Sequence, residues 1–330
     1  MQIDLQTLSI QPLRQTFDHL ARRFGDKPAS RYQEGSYDIQ AAENLHYRPT
    51  WDPSQELYDA SITKIVMADW YALKDPRQFY YNTYTLARAR QQDTAEANFS
   101  FVESRGLADA LPDNLKEAAL RVLVPLRHAA YGANLNNTFI CGYGYSTIFT
   151  QPCMYHAMDN LGIAQYLSRL GLLLEGTDAL AEGKRAWMSD DAWQPLRRYI
   201  EDCLVLRDPF ELFVAQNAAL DGLLYPLIYE RVVDDTWSTA GGSAVAMLTQ
   251  FMNDWFDETR KWVDAVLRTA AAESSHNRAV LQDWMQKWSN RAAAALLPVA
   301  GLALGAEADE VLGDEVAAFK ARMNKIGIEV

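Results

Sequence analysis

Two stretches of the sequence decide the fold: residues 112–137, PDNLKEAALRVLVPLRHAAYGANLNN, and residues 147–174, TIFTQPCMYHAMDNLGIAQYLSRLGLLL. In the first, apolar residues recur at helical spacing after the start signal Pro112-Asp113, and Pro125 predicts a kink. The second keeps helical spacing until a Glu-Gly pair ends it. Both predicted helices exceed about 20 residues, whereas globular helices average about 11–12, so the sequence favours a helical bundle over a mixed sheet.

Helical spacing continues through most of the remaining chain. We predict a helix that follows the start signal Asp52-Pro53-Ser54 and has its apolar positions at 62–73. Further helices are predicted at 76–103, 190–206, 208–233, 244–269 and 274–297. The segment 139–145 has no partner run for a hairpin, so it is interpreted as a linking turn or a helix distortion. Residues 1–52 are polar and show no sustained period. The sequence therefore predicts an all-α protein with an extended N-terminal arm, 1–52, and one helical domain, 53–330.

Composition and charge exclude several classes of protein. The chain has 330 residues, of which 49% are hydrophobic and 22% charged, and this is typical of a globular protein. Its net charge of −12 repels phosphates, so we expect no nucleic acid and no anionic lipid as a partner. No signal peptide is evident, and the longest uncharged apolar run, Ala292–Ala306, is shorter than the ~18 residues of a membrane span. The three cysteines form no CxxC pair, so we expect a cytoplasmic protein without disulfides or zinc.

Motifs for independent chemistry are missing from the sequence. It has no phosphate-binding glycine loop, no G-x-S-x-G and no HExxH. Two Glu-x-x-His pairs, Glu43–His46 and Glu273–His276, share the spacing that places di-iron ligands on one helix face. Five histidines in a chain with 43 acidic residues are enough to give such pairs by chance, so we assign both pairs a surface or capping role. His128 and His156 have no acid three residues before them and are predicted to be core or interface residues.

Residues 122–174 and 251–267, FMNDWFDETRKWVDAVL, resemble the β subunit of the hydroxylase component of bacterial multicomponent monooxygenases, above all of phenol hydroxylase. The resemblance implies a ferritin-like helical fold paired with a homologous α subunit that carries a di-iron site, in an assembly of two α, two β and two γ chains. It also implies that the complex hydroxylates phenol or a related arene with dioxygen. Electrons would come from NADH through a flavin and iron–sulfur reductase, and a small effector protein would act on the complex.

The same resemblance relates positions of this chain to the iron ligands of the α subunit. The first glutamate corresponds to Arg127, and the first Glu-x-x-His corresponds to Asn160–Ile163. The second glutamate falls near Val214, with Glu211 as an alternative, and the second Glu-x-x-His corresponds to Glu258–Lys261. These positions hold one carboxylate, two cations and no histidine. Because cations oppose the binding of two ferrous ions in a poorly solvated interior, we predict that this chain binds no metal.

Arg127 stands at a position related to an iron ligand, so another interaction would have to join the helices in place of the metal. We hypothesise that Arg127 pairs across the bundle with Asp159 or Glu258, so that an ion pair joins the helices as a metal would. The alternative is that the side chain of Arg127 points outward and the side chain of Lys261 extends to water.

The sequence therefore favours a structural subunit with no catalytic, cofactor-binding or metal-binding residue. Nine tryptophans and sixteen tyrosines favour a large contact with another chain. We expect that contact at four aromatic residues of the arm and on one tryptophan-bearing helix, unless its tryptophans belong to the core: Tyr32, Tyr37, Tyr47, Trp51, Trp255 and Trp262. Two alternatives remain: a ferritin-like di-iron oxidase active in its own right, and a helical module that holds an apolar molecule in a closed cavity.

Overall fold

The computed structural model describes residues 13–41 and 48–330, and this part of the chain contains helices and no β-strand. The α-helices are α1 Asp18–Phe24, α2 Arg31–Ser36, α3 Tyr81–Ser104, α4 Asp113–Tyr143, α5 Thr147–Glu175, α6 Thr177–Ser189, α7 Gln194–Cys203, α8 Pro209–Phe213, α9 Asp221–Tyr225, α10 Ser243–Glu273, α11 Ser275–Leu304 and α12 Ala308–Lys325. Two π-helical segments, Val214–Leu220 and Pro226–Gly242, continue α8 and α9. The all-α prediction is confirmed.

The helices α4 and α5 form an antiparallel pair joined by a short turn. Asn134 Nδ2 donates a hydrogen bond of 2.8 Å to Ala157 O and fixes their register. The predicted helix 147–174 is confirmed, whereas the first helix continues to Tyr143 and takes up most of the predicted turn. The helix α7 crosses α4 at Gly132, where a Cβ would lie 2.4 Å from Ile200 Cγ2. A glycine is therefore required for this close approach.

The run from α8 to the start of α10 is helical throughout but locally widened. Pro226 has no N–H and its ring crowds the preceding turn, and the second π segment begins at this residue. The run ends at Gly241, whose φ of 104° lies in the region that favours glycine. The predicted helix 208–233 is therefore longer than expected and partly π-helical.

The segment 60–72 forms two 3-10 turns, Ala60–Ile62 and Trp70–Ala72, so the helix predicted there is wrong. The carboxylates of Asp59 and Asp69 accept hydrogen bonds from backbone N–H groups two residues later, and such contacts favour turns over a continuing helix. The helices α6 and α12 were not predicted.

The N-terminal segment contains α1 and α2. Its sequence shows no sustained helical period, so these two helices were not predicted. Leu20, Tyr32 and Tyr37 are buried in the main hydrophobic core, so this segment packs on its own chain. Arg23 donates hydrogen bonds to both Asp38 and Asp69 and ties the segment to the 3-10 turns. The division of the chain at residue 52 remains a prediction.

Within the part of the chain that the structure describes, one helical region, Ser275–Lys325, is long and apolar enough to cross a membrane by length and composition alone. A third of its apolar window is buried within the protein, and a single such region is also common in core helices, so it is weak evidence for a membrane span.

Candidate functional site in the bundle interior

The positions that the resemblance relates to iron ligands differ in burial. Asn160, Ile163 and Val214 are buried in the bundle, Glu258 is partly buried and Lys261 is exposed. The interior between α4, α5 and the first π segment is therefore lined by an amide and apolar groups at these positions, rather than by carboxylates.

Arg127 does not form the predicted ion pair. Its Nη2 donates a hydrogen bond of 2.6 Å to Leu180 O on α6, and its side chain faces that helix. No acid among the described residues pairs with it, and burial lowers the pKa of its guanidinium. The hypothesis of a pair with Asp159 or Glu258 is wrong because α6 covers this side of α4.

The two acids of that hypothesis do lie in an ion-pair network, with different arginines. Arg88 on α3 donates to Asp159 on α5 at 2.7 and 2.8 Å, and to Glu258 on α10 at 3.0 and 3.1 Å. Arg77 donates to Glu258 at 3.3 Å and to Asp75 at 3.0 Å. These five residues form the bridging cluster. It joins three helices and the loop before α3, as a metal ion would.

Two aromatic side chains complete the environment of Asp159. Tyr84 Oη donates to Oδ1 at 2.8 Å, and Trp255 Nε1 donates to Oδ2 at 2.8 Å. Burial, together with the adjacent carboxylate, raises the pKa of Tyr84 well above its ordinary value. Asp159 is 6% exposed and receives four donors, so its charge is satisfied within the chain.

A second polar group occupies the centre of the bundle and is termed the interior network. Asp221 Oδ2 lies 3.0 Å from His156 Nε2, and Asp221 Oδ1 accepts a hydrogen bond of 2.9 Å from Gln216 Nε2. Asn136 Nδ2 donates to Gln216 Oε1 at 2.8 Å. All four residues are at most 3% exposed. The network therefore joins α4 and α5 to α9 and the first π segment through side chains alone.

The cavity beside the interior network is too small for a binuclear metal centre. It is lined by Asn160, Ile163, Gln216 and Asp221 among others, and its volume is about 10 Å³. A single water needs roughly 10–15 Å³. The described residues contain no group of three His, Cys, Asp or Glu side chains placed to hold a metal. The residues present therefore do not fit a di-iron site, which takes four carboxylates and two histidines.

The side chains of Glu273 and His276 bind different backbone groups and do not act as a pair of metal ligands. Glu273 Oε1 accepts a hydrogen bond from Ala68 N at 2.8 Å, and His276 Nε2 lies 3.0 Å from Lys64 O. Glu273 therefore fixes the loop before α3 to the end of α10, and His276 fixes the same loop to the start of α11. Both residues are exposed, in agreement with the predicted surface role. The pair Glu43–His46 lies outside the described residues.

Most of the aromatic residues expected at a partner contact are in the core. Trp255 and Trp262 are 0% exposed and flank His156, with ring centroids 4.8 and 5.7 Å from its imidazole. Tyr32 and Tyr37 are buried in the same core. Trp51 is half-buried and packs on Phe139 and Tyr143 of its own chain, whereas Tyr47 lies outside the described residues. The expected contact on these aromatic residues is therefore wrong for Tyr32, Tyr37, Trp255 and Trp262.

Sequence reasoning missed Arg77, Arg88, Gln216 and Asp221. A signal existed for the last two, because Gln216 and Asp221, together with Asn217, interrupt an otherwise apolar run between Leu212 and Tyr229. Polar groups in a buried helix need partners, so such interruptions indicate an internal network. Arg88 lies on a polar helix, where no local pattern separates a buried arginine from an exposed one.

A cavity of about 510 Å³ lies between α4, α6 and α11. Its rim includes the charged residues Arg121, Glu175, Glu182 and Arg185. With these charged residues around it, this cavity is not the closed apolar cavity that a module for an apolar molecule would need.

Fold and interior together define a class: a ferritin-like helical bundle whose centre is closed by hydrogen bonds among its own side chains. A profile of the Methane/Phenol/Alkene Hydroxylase family matches residues 51–274, and the chain belongs to this family.

Comparison with individual proteins agrees with this assignment. The chain is 52% identical to the phenol 2-monooxygenase oxygenase component DmpL of Pseudomonas sp. (strain CF600), over all of this chain and 99% of that protein. It is 23% identical to the toluene-4-monooxygenase hydroxylase component subunit beta of Ectopseudomonas mendocina, over 88% and 91% of the two chains. A solved phenol hydroxylase chain from Pseudomonas sp. OX1 matches with a TM-score of 0.92 and 45% identity, over 99% of both chains. The predicted membership among hydroxylase subunits of multicomponent monooxygenases is confirmed.

Proposed function

We propose that this chain is the non-catalytic β subunit of an oxygenase that hydroxylates phenol or a related arene. The observation that carries the proposal is the closed centre of the bundle. The interior network and the cavity of about 10 Å³ leave no place there for a di-iron centre or an arene. The chemistry would then belong to a homologous α subunit that holds the two iron ions. This chain would contribute no catalytic, cofactor-binding or metal-binding residue.

The proposal includes the partners implied by the relatives. The names of two relatives describe an oxygenase component and a hydroxylase β subunit, which are parts of larger systems. We propose an assembly of two α, two β and two γ chains in the cytoplasm, on which an NADH-dependent reductase and an effector protein act. We also propose that the chain divides into an N-terminal arm, 1–52, and a helical domain, 53–330.

Metal analysis of separated subunits tests the proposal. We would co-express this chain with the neighbouring oxygenase subunits, purify the complex through a tag on this chain, and measure iron before and after the subunits are separated. We expect the other subunits to copurify, and the iron to remain with the large subunit. A stable chain that copurifies with no partner and binds about two iron ions would instead support a di-iron oxidase active in its own right.

A further inference from the structure

The small cavity beside the interior network has the size and the burial of a site for one small molecule. Asn160 lines it together with Gln216 and Asp221 of the network. Every residue of its lining is at most 7% exposed, so the cavity lies inside the bundle. Its volume of about 10 Å³ is close to the roughly 10–15 Å³ that one water molecule needs.

Asn160 has a polar atom without a protein partner. Its Nδ2 donates a hydrogen bond of 3.0 Å to His156 O, one helical turn earlier, and this contact fixes the orientation of the amide. Asn160 Oδ1 is buried and accepts from no protein group in the described chain, and the residue is 1% exposed. Because Nδ2 is directed to His156 O, Oδ1 is the polar atom that this side chain offers to the cavity. Buried oxygens without a protein donor usually bind an ordered water.

The other polar groups of the lining supply both donors and acceptors. Burial raises the pKa of Tyr225 well above its ordinary value, so its hydroxyl keeps its proton and can donate. Tyr229 lines the same cavity, and burial raises its pKa as well. The carboxylate of Asp221 contacts His156 and Gln216, and its oxygens have further lone pairs that can accept.

We propose that this cavity binds one water molecule as a structural part of the bundle. The water donates to Asn160 Oδ1 and to the carboxylate of Asp221, and it accepts from the hydroxyl of Tyr225 or Tyr229. These are three hydrogen bonds, about the number that a buried water makes. The water extends the interior network to Asn160, the residue that the resemblance relates to a glutamate ligand of iron. It thereby joins α5 to α9 at that position without a metal.

Other occupants fit the cavity less well. A cation needs negative ligands, but Asp221 is the one carboxylate in the lining, and His156 and Gln216 already contact it. An apolar molecule would leave Asn160 Oδ1 without a donor, and a buried polar atom without a partner is unfavourable. A neutral molecule that donates twice and accepts once matches the groups present.

Crystallography of the co-expressed oxygenase, with this chain at full length, tests the inference. At a resolution that shows ordered waters, we expect one density peak in the cavity, about 2.5–3.0 Å from Asn160 Oδ1. Asn160→Leu replaces the accepting amide with an apolar group of similar size, so we expect the peak to be lost from this variant.

Thr259→Val is the matched control. Thr259 is also buried, and its Oγ1 has no protein partner, but it does not line the cavity. The peak should therefore remain in this variant. The unmodified chain tests the inference by itself if Asn160→Leu does not fold.

Three results would overturn the inference. The first is an empty cavity in the unmodified chain, in crystals that show other buried waters. The second is a peak that persists in Asn160→Leu, and both of these results leave the proposed function unaffected. The third is a peak with anomalous scattering and contacts of about 2.0–2.4 Å, which would identify a metal ion and would contradict the proposed function as well.

Discussion

Arg88 donates two hydrogen bonds to Asp159, from Nε at 2.7 Å and from Nη2 at 2.8 Å, and thereby joins α3 to α5. The same guanidinium reaches Glu258 on α10. One arginine therefore joins three helices with hydrogen bonds and charge. In a relative with iron at its centre, metal ligation would join helices in the same way.

Loss of Arg88 should destabilise the chain strongly. Arg88→Met leaves the carboxylate of Asp159 buried without its ion partner, and we expect a decrease of about 3–5 kcal/mol in the free energy of unfolding. Urea denaturation of the isolated chain measures this change.

Arg169→Met is a matched control, because Arg169 joins the same two helices through Glu96 in a more exposed pair. We expect a cost of about 0–1 kcal/mol for that variant. The double variant Arg88→Met, Asp159→Leu should recover part of the loss, since it removes both charges. Equal costs for Arg88→Met and Arg169→Met would show that the bridging cluster does not stabilise the bundle.

His128 should make stability depend on pH. Burial against α6, with Arg127 and Lys184 nearby, lowers the pKa of His128 to about 4, whereas an unfolded histidine titrates near 6.5. Between these values the unfolded chain binds more protons than the folded chain, so stability rises with pH in this window and is lost as the pH falls through it. His128→Gln should reduce the difference between urea midpoints measured at about pH 5 and about pH 7.5.

His276 provides the comparison for this experiment, because its side chain lies on an exposed hydrogen bond at the start of α11. His276→Gln should leave the pH dependence close to that of the unmodified chain. If His128→Gln keeps the full pH dependence, other groups are responsible for it.

Gly132→Ala should destabilise the crossing of α4 and α7. The added Cβ would lie 2.4 Å from Ile200 Cγ2, and the overlap should cost about 1–3 kcal/mol. Gly301→Ala on α11 meets no atom within 4 Å, so it should be neutral or stabilising by up to about 1 kcal/mol. Thermal unfolding compares the two. Ile200→Ala removes the overlapping Cγ2, so Gly132→Ala and Ile200→Ala together should cost less than the sum of their separate costs. A stabilising Gly132→Ala would contradict the packing described.

The sequence by itself determined the all-α class, the length of α5 and the start of α4, because apolar periodicity is a local property that packing of the rest of the chain does not alter. The residue types at Arg127, Asn160 and Lys261, which the family resemblance relates to iron ligands, support the prediction that this chain binds no metal.

Only the tertiary structure decided which residues meet. Asp159 and Glu258 were the expected acids, but their cation is Arg88, which lies 71 and 170 positions away in the sequence. Arg127 is turned from the bundle centre because α6, a helix that the sequence did not predict, provides Leu180 O for its guanidinium. Contacts between residues so far apart depend on how the helices pack against each other, and local spacing does not contain that information.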